Sequence, residues 1–86
     1  MRDIDHIIER LKAVIPDVQV TQLQVAHPGA DDDGLWFIKI PGKAGAVQIG
    51  SPDGNCPFLI ESDFNTERFH GQTVNEVVQI VRRLYA

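Results

Sequence analysis

Apolar residues recur with the 3.6-residue period of an α-helix at both ends of this 86-residue chain, and with the two-residue period of strands between them. Near the N-terminus Ile4, Ile7, Ile8, Leu11, Val14 and Ile15 form one stripe. Near the C-terminus Val74, Val77, Val78, Val81, Leu84 and Tyr85 repeat the same spacing. A helix with one apolar stripe must bury it against another layer. The two stripes bracket the rest of the chain, so the middle must supply a surface that both can cover.

Local signals fix where each helix begins and ends. Asp3 suits an N-cap, Asp5 complements the positive end of the helix dipole, and Arg10 with Lys12 suit the negative end. Pro16 ends the first helix, because it lacks an amide hydrogen and clashes with the preceding turn. Thr73 and Glu76 have the spacing of a capping box, and Arg82 and Arg83 occupy the last turn of the second helix.

Four strand-like runs lie between: Val18 to Val25, Leu35 to Ile40, Val47 to Ile49, and Phe58 to Glu61. The first alternates through Val18 and Val20, then resumes at Leu23 and Val25 one residue out of phase. That slip predicts a bulge or corner near Thr21-Gln22. The connections are rich in turn residues: His27-Pro28-Gly29 through Asp33-Gly34, Pro41-Gly42-Lys43, and Ser51-Pro52-Asp53-Gly54-Asn55. Short turns between consecutive strands imply an antiparallel meander. The expectation is an α+β two-layer sandwich in the order α-β-β-β-β-α, a four-stranded antiparallel meander with both helices on one face. Residues 1–86 suffice for a single domain and are too few for two.

The second strand carries more apolar surface than one face can use. With Trp36, Ile38 and Ile40 turned toward the helices, Leu35 and Phe37 point away, with Leu59 beside them. A solvated antiparallel face should be mainly polar. Either this face is covered, by the Ala26–Gly34 loop or by the Phe64–Gln72 segment whose Phe64 and Phe69 need burial, or it is an interface to a second copy or another protein. The contiguous carboxylates of Asp31, Asp32 and Asp33 offer a basic protein surface a second point of contact.

Residues suited to catalysis or metal binding are sparse. Cys56 is the one cysteine, and a strand rather than a helix follows it, so no helix dipole would lower its pKa. His70 and Asp63 are the partners it would need in a small cysteine-dependent enzyme. His6, His27 and His70 stand on three separate elements without the paired spacing of a zinc site, and the aspartate run lacks the alternation of an EF-hand. No glycine-rich phosphate loop or nucleophile elbow is present, so no metal or cofactor is expected.

The chain has 8 Lys and Arg against 12 Asp and Glu, a formal net charge of −4. That balance disfavours phosphate backbones and anionic membranes, leaving Lys39, Lys43, Arg82 and Arg83 as the only basis for nucleic-acid binding. The helix–strands–helix order resembles in outline the double-stranded-RNA-binding domain, which implies RNA contact through a basic helix start. Here the second helix starts Thr73-Val74-Asn75-Glu76, without a basic residue. The acidic N-terminus lacks the pattern of a signal peptide, no apolar stretch approaches the ~18 residues of a membrane span, and a lone cysteine suits a reducing cytoplasm. The expected function is a small non-enzymatic protein-interaction module of accessory, immunity or chaperone type. Its partner would be another protein or a second copy in a homodimer.

Overall fold

The computed structural model describes residues 1–23 and 34–85. Its elements are α1 (Asp3–Val14), β1 (Gln19–Gln22), β2 (Leu35–Lys39), β3 (Val47–Gly50), β4 (Phe58–Ser62), β5 (Phe69–Gly71) and α2 (Val74–Leu84). The strands pair in chain order, each antiparallel to the next, as one five-stranded sheet. The two-layer meander is as expected, with one strand more. Three residues of the Phe64–Gln72 segment form β5 along β4, with Phe69 opposite Ile60 and Gly71 opposite Phe58. Phe69 therefore packs against the core on the helix side, while the other expected cover, the Ala26–Gly34 loop, lies outside the described residues but for Gly34.

The core follows the strand alternation. Trp36, Ile38, Val47, Ile49, Phe58 and Ile60 are buried on one face of the sheet, with Ile4, Ile7 and Leu11 of α1 and Val77, Val78, Ile80 and Val81 of α2 above them. The helices pack on each other, and α2 also contacts β4 and β5. Val14, part of the expected stripe, is 47% exposed, while Ile80, outside it, is buried. The stripe on α2 is thus wider than the heptad-like spacing suggested, because this helix sits over the sheet and beside α1 at once.

Both helices start at the same end of the sheet. The first turn of α1 is tied to the β3–β4 connection: Ile4 N–H donates to the Gly54 carbonyl (2.9 Å), and Asp3 N–H donates to Asn55 Oδ1 (3.0 Å). In return Asp3 Oδ2 accepts from Cys56 N–H (2.9 Å). The N-cap of α1 is Arg2 rather than Asp3, and Asp5 accepts the Arg2 N–H at 3.0 Å. Asp3 instead sits inside the helix, where its carboxylate caps a loop. At α2, Thr73 Oγ1 accepts from Glu76 N–H (3.1 Å), and Glu76 reaches back to Gln72 N–H (2.8 Å), one residue before the position of a standard capping box.

At the opposite end, Tyr85 fastens α2 to β2. Its hydroxyl donates to the Ile38 carbonyl at 2.6 Å, and its ring meets Phe64 edge-on at 5.2 Å. Lys43 donates to the Tyr85 carbonyl at 2.9 Å. Tyr85→Phe should lower stability by about 1 kcal/mol, measured by urea unfolding, because it removes a buried hydrogen bond.

A glycine marks the tightest packing between sheet and helix. A Cβ on Gly71 would collide with the Val77 side chain and stand 3.3 Å from Ile60 Cδ1. Gly71→Ala should therefore cost about 1–3 kcal/mol in the same measurement. Gly50, whose Cβ position has nothing nearer than 3.5 Å, should accept alanine without loss.

Candidate interaction site on the helix-free face

The antiparallel register aligns the outward side chains in rows across the sheet. Leu35, Gly50, Leu59 and His70 form one row, since Leu35 pairs with Gly50, Gly50 with Leu59, and Leu59 with His70. Thr21, Phe37, Gln48 and Glu61 form the next. The expected second apolar face is thus brought together, with Leu35, Phe37 and Leu59 half-buried on adjacent rows. Glu61 ends its row in a 3.5 Å ion pair with Arg68, both exposed enough that the pair adds little stability.

Gly50 stands between Leu35 and Leu59 without a side chain, so the row has a gap at its centre. The gap opens into a shallow apolar groove of about 560 Å³ lined by Leu23, Gly34, Leu35, Gly50, Ser51, Pro52 and Leu59. Leu23 and Pro52 were not expected here. The sequence did carry a signal for Leu23, its slip out of phase with Val18 and Val20. The structure gives that slip a different cause from a bulge. The β1–β2 register runs unbroken from Gln19↔Lys39 to Gln22↔Trp36, and Leu23 N–H still donates to the Leu35 carbonyl at 2.8 Å. Leu23 is therefore on the outward face by ordinary alternation, and the apolar pattern changes face instead of kinking.

The end wall of the groove is held rigidly. Ser51 N–H donates to the Gly34 carbonyl (2.8 Å), so closely that a Cβ on Gly34 would collide with the Ser51 carbonyl. The Ser51 hydroxyl is turned inward, within hydrogen-bonding reach of Asp53 Oδ1 and the Asn55 carbonyl, and so is buried in the turn rather than offered to the groove. Asp53 accepts from Asn55 N–H as well, and this bond, then the one from Ser51, holds its carboxyl below the usual carboxylate range. A lowered folded-state pKa means that the turn is strongest above the ordinary aspartate range and loosens as pH falls through it.

The residues with catalytic chemistry are not assembled. Cys56 packs against the helix-side core, whereas His70 is exposed on the opposite face, in the same row as Leu59, so the sheet stands between them. Asp63 lies seven residues along the chain from Cys56, roughly 20 Å away along an extended strand. Its carboxylate accepts from Ala46 N–H at 2.9 Å and its N–H donates to the Ala46 carbonyl at 3.1 Å, which closes the far end of the β3–β4 ladder. Among the described residues, no group of three His, Cys, Asp or Glu side chains could hold a metal ion. Asp31, Asp32 and Asp33 lie outside the described residues. Among the described residues, no helix is long and apolar enough to cross a membrane.

Burial, then the neighbouring Asp3 carboxylate, pushes the Cys56 thiol up to about 11. The thiol is therefore protonated at neutral pH, the opposite of what a nucleophile requires. A raised folded-state pKa also means that its contribution to stability is complete below the ordinary thiol range near 9.0 and is lost as pH rises toward about 11. Iodoacetamide labelling of Cys56 should accordingly stay slow through pH 9 and accelerate only near pH 11. Asp3→Asn should move that rise to lower pH only part of the way, since burial remains. Labelling at the rate of a free thiol, with a midpoint near about 8.5, would contradict this environment.

Set against family models, curated proteins and solved structures, the chain matches none.

Proposed function

We propose that the protein is a small non-enzymatic interaction module that receives an apolar side chain of a protein partner in the groove beside Gly50. The supporting observation is the gap itself. Glycine within a strand weakens it and is retained where a backbone must turn or something must approach closely. Gly50 has no left-handed φ, and a Cβ there would meet only Gly34 O and Leu35 Cδ1 at 3.5 Å. The fold therefore tolerates a side chain at this position, and its lack of one leaves a gap between Leu35 and Leu59 among the described residues. Aromatic anchors seated in well-packed pockets carry much of the energy of protein interfaces.

The partner is another protein or a second copy of the chain, and a reducing cytoplasmic setting fits the lone protonated thiol of Cys56. An interface of ordinary size buries about 800 Å² per partner. The groove would then be the centre of a larger contact that includes Phe37 and the polar rim of Thr21, Gln48 and Glu61.

Gly50→Val separates binding from folding, because it fills the groove and replaces glycine with a strong strand former. Its unfolding midpoint should match or exceed that of the parent. Affinity purification from the native cell should yield a stoichiometric partner with the parent and at least tenfold less with the variant. Light scattering after gel filtration then distinguishes a homodimer from a complex with another protein. Equal recovery of the same partner by both proteins would overturn the proposal.

A further inference from the structure

We draw no further inference here: the strongest candidate, the apolar groove of Leu23, Leu35 and Leu59 on the helix-free face of the sheet, belongs to the site already described, and nothing in the structure shows what covers it.

Discussion

Two helices, each with a single apolar stripe, share one face of one sheet, and most of the architecture follows from that constraint. Packed helices lie about 8–10 Å apart, and strands repeat about every 4.8 Å. Two helices side by side thus cover a width of roughly 20 Å, which five strands, roughly 24 Å wide on the same count, can seat. α2 lies against β4 and β5. Although only three residues long, β5 belongs to this covered surface, and Phe69 brings a further apolar side chain to it.

The ends of the helices are secured by contacts distant in sequence. Asp3 and Ile4 are tied to residues 54–56 of the β3–β4 connection, so the first turn of α1 and the turn after β3 define each other. Gly54, at φ +77, supplies the carbonyl for Ile4 from a backbone conformation that side chains rarely adopt. Arg2 lies against the Gly54 position and 6.0 Å from the Trp36 ring, over the entrance to the core. The same network raises the thiol of the one cysteine above its ordinary range, after the larger effect of burial. Cys56 is held beside the carboxylate whose other task is to bind its amide.

Elements with strong periodicity were legible in the sequence. Both helices, the turn at Pro16, the cap at Thr73 and the inward set Trp36, Ile38, Val47, Ile49, Phe58 and Ile60 follow from pattern alone. β5 was not legible, since Phe69-His70-Gly71 is too short to show alternation and is a strand only because β4 offers an edge. Local chemistry makes Asp3 a good N-cap, yet a loop more than fifty residues away claims its carboxylate. The apolar pair Leu35 and Phe37 was visible as an excess over one face. The groove was not, because its central feature is the missing side chain of Gly50, and its walls come from Leu23 just after β1, from β2 and β4, and from the turn after β3.

One face of the sheet is consumed by folding, and the proposed function assigns recognition to the other. Photo-crosslinking in the native cell tests that division most directly, with the reactive side chain placed at Gln48 on the helix-free face or at Gln79 on the exposed side of α2. The account predicts a discrete protein adduct from Gln48 and none from Gln79. An adduct from Gln79 with none from Gln48 would contradict it.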